Sequence, residues 1–219
     1  MNAEEADMNY SAVIVAAGSG TRMKLGYNKA YYRLDDRTIL EHTMDIFLSD
    51  KDCVEVVVVT DSETFRKEIP GRIPGRVVLV SGGSSREESV SNGLNAVTSE
   101  VVLVHDGARP YLSRVCLDAM KQAMETEEAA CLMVPCKDTI KVVQDGYIVK
   151  TIERSTIQAA QTPQAFRTEL LVHCMDLARK EGYQGTDDCS IVEHFSSAKI
   201  RAVPGSYENF KITTPEDLK

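Results

Sequence analysis

The sequence predicts an α/β protein with a doubly wound, mostly parallel sheet, and three observations carry that reading. Short apolar runs bounded by polar or glycine residues recur up to position 134, stretches with helical spacing lie between them, and the first run leads straight into a glycine-rich loop. Continuous apolar runs fit strands buried on both faces, and strand alternating with helix implies right-handed crossovers with helices on both sides of the sheet.

In chain order, strands are expected at 10–16, 54–60, 76–81, 100–105 and 129–134. Ile39, Leu40, Met44, Phe47 and Leu48 mark a first helix, Val90, Leu94 and Val97 a second, and Val115, Leu117, Met120 and Met124 a third. The alternation breaks after Pro135. Residues 139–143, the pair Asp145-Gly146 and residues 147–152 read as a hairpin. Such a hairpin does not easily join a parallel sheet, so an arm at about 137–155 is expected to project and to exchange with a partner subunit. Helices follow at 167–181 and 186–195 and strands at 199–203 and 210–213, and Thr214-Pro215-Glu216-Asp217 opens a last helix with proline at its first position. The chain stops as that helix begins, which reads as truncated or unusually short. One domain is expected over 1–219, because 219 residues supply one sizeable core and fall short of two.

Composition narrows the classes of function. A net charge of −8 argues against a broad nucleic-acid surface, which needs clustered Lys and Arg, so the cations here act locally. No apolar run reaches the roughly 20 residues that cross a bilayer, and the opening stretch carries Glu4, Glu5 and Asp7 instead of a basic and then apolar leader, so neither a membrane nor export is expected. Six scattered cysteines without a C-x-x-C pair read as buried free thiols in a reducing, cytoplasmic setting.

In a doubly wound fold the ligand sits at the carboxyl ends of the strands. The first strand runs into Ala16-Ala17-Gly18-Ser19-Gly20-Thr21-Arg22-Met23-Lys24. Small residues there let backbone N–H groups cradle phosphate oxygens, although a tight surface turn has the same composition. Neither the dinucleotide fingerprint nor the Walker pattern is present. What remains is a loop with Arg22 and Lys29 beside it, cations that suit a reaction in which charge builds on phosphoryl oxygens; Lys24 reads better as solvated surface. The fourth strand ends in His105-Asp106-Gly107-Ala108-Arg109-Pro110. Asp106 there reaches a metal ion on a triphosphate, holds a substrate hydroxyl or caps the next helix, and Arg109 can grip an anion bidentately. His105 reads as a satisfied strand-end histidine. Ser81-Gly82-Gly83-Ser84-Ser85-Arg86 suits either recognition of a base edge or a helix cap by Ser84 or Ser85. Lys211, on the expected strand at 210–213, points to an anionic partner.

Together, Ala16-Ala17-Gly18-Ser19-Gly20-Thr21-Arg22-Met23, Lys29, Ile39-Leu40-Glu41-His42, Gly82-Gly83, Val104 to Pro110, Asp138-Thr139, Gln161-Thr162-Pro163-Gln164-Ala165-Phe166, Thr186-Asp187-Asp188 and Asn209-Phe210-Lys211-Ile212-Thr213 resemble the 2-C-methyl-D-erythritol 4-phosphate cytidylyltransferase family over nearly the whole chain. The resemblance implies a Rossmann-like nucleotidyltransferase fold. It also implies transfer of the cytidylyl group of CTP to methylerythritol phosphate, with release of pyrophosphate, in non-mevalonate isoprenoid synthesis. By the same resemblance Arg22, Lys29 and Lys211 are catalytic, with Mg²⁺ on the triphosphate. Ala16, Ala17, Gly18, Ser19, Gly20, Thr21, Gly83, Ser84 and Ser89 hold CTP. Asp106, Arg109, Thr139, Arg154, Thr162, Thr186 and Lys211 surround the acceptor, Asp106 is the candidate metal ligand, and the arm builds a homodimer. The sequence departs from the family pattern at Ser84, where relatives commonly carry an acid, and around Lys29, where Asn28 and Ala30 replace Pro and Gln. A ribitol 5-phosphate cytidylyltransferase is the nearest alternative, since that group shares the loop, the lysine and the Gln-Thr-Pro-Gln segment. A catalytically silent nucleotide-binding protein on the same fold is the alternative of a different class.

Overall fold

The computed structural model describes residues 8–18, 26–71 and 74–218. Strands β1 (Tyr10–Val15), β4 (Cys53–Val59), β5 (Val77–Val80), β6 (Val101–Asp106), β7 (Ala129–Pro135), β10 (Gln158–Arg167) and β11 (Ile200–Pro204) form one sheet in the order β11-β7-β10-β6-β1-β4-β5. All neighbours are parallel except β10, which runs antiparallel to both β6 and β7.

Alternation along the strands feeds two apolar layers. Ala12, Ile14, Val56, Val58 and Leu103 face α1 (Ile39–Leu48), α2 (Ser62–Glu68) and α4 (Arg114–Met124), which bury Phe47, Phe65 and Leu117 against them. Val13, Val57, Val59, Val102 and Val104 face α3 (Arg86–Leu94), α5 (Thr168–Glu181) and α6 (Asp188–Phe195), which bury Val90, Leu171 and Ile191 on the opposite side. This is the doubly wound architecture expected from the sequence.

Local chemistry sets the element ends. Thr38 and Glu41 form a capping box on α1, Ser85 caps α3 and Ser113 caps α4. A short ladder of β2 (Arg33–Leu34) with β3 (Arg37–Thr38) precedes α1. Among the described residues, strands β8 (Lys141–Gln144) and β9 (Tyr147–Thr151) pair with each other alone, around an Asp145-Gly146 turn with φ of 50° and 83°, and every residue of both strands is exposed.

Two expectations need correction. Residues 210–213 form no strand: their backbone bonds go to a loop carbonyl and to side chains, with Ile212 N donating to Ala108 O at 2.9 Å. The last helix is a 3-10 turn, Pro215–Leu218. Conversely, β10 is a full strand where only a motif had been read. Proline cannot donate to a ladder, and the pairing with β7 shifts register between Ala160 and Gln164 and so passes over Pro163.

Candidate functional site

A cavity of about 530 Å³ opens at the carboxyl ends of β1, β5 and β6, where this fold class places ligands. Its floor is the end of β1, Val15 to Gly18, held by Ala16 N donating to Val59 O at 2.9 Å and Gly107 N donating to Val15 O at 2.9 Å. One wall is the entrance to α3. There Ser85 Oγ accepts from Glu88 N at 3.1 Å, so the helix cap is Ser85. Ser84 instead donates through both N and Oγ to Glu88 Oε2, each at 2.6 Å, and Gly83 N donates to Ser89 Oγ at 3.0 Å.

Among the described residues, three cations line the cavity. Lys29 stands on a 3-10 turn capped by Asn28, whose side-chain amide also donates to Ala16 O, and its Nζ donates to Ile212 O at 2.6 Å. Lys211 Nζ lies 3.0 Å from Asp106 Oδ2. Arg86 enters from the first turn of α3, gripped bidentately by Asp188 at 2.8 and 2.7 Å. Among the described residues lining the cavity, Asp106 is the one carboxylate, against Lys29, Arg86 and Lys211.

Asp106 ends β6 and does not cap α4, since Ser113 does. Its carboxylate receives Arg109 Nε at 3.2 Å as well as Lys211, and its N–H donates to Thr162 Oγ1 at 3.0 Å. Burial would push its pKa up, but Lys211, Arg86 and Arg109 outweigh burial and hold the group well below the ordinary carboxylate range. Behind it, His105 is fully buried, with Nδ1 3.1 Å from Thr162 Oγ1 and Nε2 3.1 Å from Arg109 O. Both ring nitrogens therefore have partners.

Of the residues singled out from sequence, Ala16, Ala17, Gly18, Lys29, Gly83, Ser84, Ser89, Asp106 and Lys211 line this one cavity. Arg109 and Thr162 do not line it but contact Asp106. Thr139 and Arg154 are exposed on either side of the hairpin, and exposed Thr186 precedes α6; none of the three lines the cavity. Ser19, Gly20, Thr21 and Arg22 lie outside the described residues. Sequence reasoning missed the contributions of Asn28 and Arg86. Arg86 left a signal: a cation in the first turn of a helix opposes the helix dipole, so something other than helix stability places it there.

A cavity with this surplus of positive charge, at the carboxyl ends of a doubly wound sheet, puts the chain in the class of nucleotide-dependent transferases. Residues 10–219 match the family model of IspD, 2-C-methyl-D-erythritol 4-phosphate cytidylyltransferase. The chain belongs to that family. It is 42% identical to the 2-C-methyl-D-erythritol 4-phosphate cytidylyltransferase of Bacillus velezensis over 96% of this chain and 93% of that protein. The fold matches the crystal structure of 4-diphosphocytidyl-2C-methyl-D-erythritol synthase from Anaerococcus prevotii with a TM-score of 0.85 and 33% identity, over 97% of this chain and 95% of that one. The enzyme of the same family from Francisella tularensis superposes with a TM-score of 0.83 at 30% identity, over 96% of each chain.

Proposed function

We propose that this cavity is where the chain transfers the cytidylyl group of CTP to 2-C-methyl-D-erythritol 4-phosphate, giving 4-diphosphocytidyl-2-C-methyl-D-erythritol and pyrophosphate, a step of non-mevalonate isoprenoid precursor synthesis. A bond forms between an oxygen of the acceptor phosphate and the α-phosphorus of CTP, and the bond from that phosphorus to the bridging oxygen of pyrophosphate breaks. The attacking phosphate is already ionised at neutral pH, so no general base is required. The observation that carries the reading is the convergence of Lys29 and Lys211, from opposite ends of the chain, on one cavity beside the β1 loop.

Lys29 and Lys211 meet the negative charge that grows on the phosphoryl oxygens in the in-line transition state, and Arg22 is assigned the same role by its place in the family motif. Ala16 to Thr21 cradle the triphosphate of CTP, and Gly83, Ser84 and Ser89 read the base. Asp106 and Lys211 hold the acceptor, Arg109 serves it through Asp106, and Thr186 is assigned to it by its place in the family motif. Thr162 supports Asp106 from behind and offers its remaining lone pair. Asp106 also fits a magnesium ligand, because Mg²⁺ usually takes one or two carboxylates and completes its shell with substrate phosphates and water. When bound, Mg²⁺ neutralises the triphosphate. Among the described residues no group of three acidic, histidine or cysteine side chains is placed to hold a metal alone, so the ion would enter with the nucleotide. Thr139 and Arg154 travel with the hairpin and serve the cavity of a second copy in a homodimer. The six free thiols, five of them buried, fit a reducing cytoplasm.

Pyrophosphate release by the purified protein with CTP and Mg²⁺ tests the reading. Release is expected with methylerythritol phosphate and not with ribitol 5-phosphate or without acceptor; release with ribitol 5-phosphate alone would move the acceptor, and silence with both would leave a binding protein. Lys29→Ala should lower turnover by roughly a hundredfold or more, the scale of losing one transition-state donor. Near-intact turnover would overturn the mechanism.

A further inference from the structure

The segment that carries Lys211 lies in no ladder, so something other than a sheet must fix it. Its central peptide is a junction. Ile212 N donates to Ala108 O at 2.9 Å, beside Asp106, while Ile212 O receives Lys29 Nζ at 2.6 Å. The next two peptide N–H groups, of Thr213 and Thr214, both donate to Asp217 Oδ2, at 2.7 and 2.9 Å, and Thr214 Oγ1 approaches the same oxygen at 3.4 Å. Thr213 Oγ1 closes the loop by donating to Lys211 O at 3.1 Å.

We infer that Asp217 is a positioning residue for the transfer reaction: its carboxylate fixes residues 211–214 and thereby sets where the ammonium groups of Lys29 and Lys211 stand. The inference rests on the proposed roles of those two lysines. A plain cap of the 3-10 turn Pro215–Leu218 requires only the bond to Thr214. The additional bond to Thr213 N carries the hold upstream to the peptide that receives Lys29. Hydrogen bonds from Thr214 and Thr213, with a smaller contribution from the charge of Lys29, lower the pKa of Asp217, as expected for a carboxylate that accepts them in its charged form.

Misplacing a reacting group by about 1 Å can cost up to about a hundredfold in rate. Asp217→Ala is therefore expected to lower kcat by roughly tenfold or more while the KM for CTP moves less than about threefold. Asp217→Asn keeps an acceptor oxygen for both N–H groups and is expected to recover most of that loss. Glu216→Ala, at the exposed neighbour, should behave as the parent. Combining Asp217→Ala with Lys29→Ala should cost less than the product of the two single losses, because both act in part through the Lys29 ammonium while the Lys211 share remains. A kcat within about twofold of the parent for Asp217→Ala, or an Asp217→Asn protein as impaired as Asp217→Ala while its melting temperature is unchanged, overturns the inference. Full turnover in Lys29→Ala and Lys211→Ala would instead overturn the underlying assignment of the site.

Discussion

His105 ties the site together with one uncharged ring. Thr162 Oγ1 receives Asp106 N and faces His105 Nδ1, and His105 Nε2 faces Arg109 O, so a single proton on Nε2 satisfies the chain of contacts. Burial pushes the imidazole pKa down to about 4. An unfolded histidine titrates near 6.5, so between about pH 6.5 and pH 4 the unfolded chain takes up a proton that the folded one refuses. Stability from this group is complete above the unfolded value and falls as pH drops through that window, by about 2.5 kcal/mol at pH 4.5. Urea unfolding at pH 7 and pH 4.5 should show that loss in the parent and a smaller one in His105→Gln; equal losses would mean the ring is not held neutral. Much of the site was readable at this scale. Charged residues next to strand ends and small-residue loops, such as Lys29, Asp106 and Lys211, stand out in sequence because little else explains them there. The contribution of Asn28 and the partners of Thr162 were opaque, since the contacts with Ala16 O, Asp106 N and His105 are set by tertiary structure.

The pair Arg86 and Asp188 joins two elements. It fastens the first turn of α3 to the first turn of α6 through two parallel bonds, and the Asp188 side chain is 0% exposed against 29% for Arg86. Asp188→Ala removes two charge-assisted bonds and leaves Arg86 partly buried without its partner, so it should cost about 2–3 kcal/mol in urea unfolding, whereas Asp176→Ala, at the surface pair with Arg179, should cost less than about 1 kcal/mol. Similar costs for the two variants would remove Asp188 as a fastening between helices. Replacing both partners by Arg86→Met and Asp188→Leu should recover much of the stability and forfeit a cation of the cavity. The same scale explains what sequence could and could not reveal of the fold. Val-rich β4 and β6 and the amphipathic α4 and α5 announce themselves by pattern. Helix α2 buries only Phe65 in seven residues, too short for a periodic signal. Residues 210–213 have strand composition, but their N–H groups find Ala108 O and Asp217 instead of a neighbouring strand.

At the scale of the whole molecule, the hairpin β8-β9 asks for a partner. An isolated two-stranded hairpin is marginal in water, and this one exposes apolar side chains such as Tyr147 at 78% and Ile148 at 65%. Exposed apolar patches of this kind mark interfaces, and a second copy offers the same hairpin in a self-complementary, twofold contact. A dimer is therefore expected in sedimentation at micromolar concentration, and Val143→Lys with Ile148→Asp should dissociate it; a strict monomer in the parent would end the proposal. Because Thr139 and Arg154 belong to the hairpin segment and Lys29 to the cavity beside the sheet, an exchange of arms in the proposed dimer would make each cavity depend on two chains. Arg154→Ala and Lys29→Ala proteins, each nearly inactive alone, should then complement when co-expressed. Half of the dimers would be mixed, and each mixed dimer would hold one complete site of two, so turnover should return to roughly a quarter of the parent value. If the hairpin serves its own chain, every mixed dimer holds two damaged sites and the co-expressed proteins stay inactive.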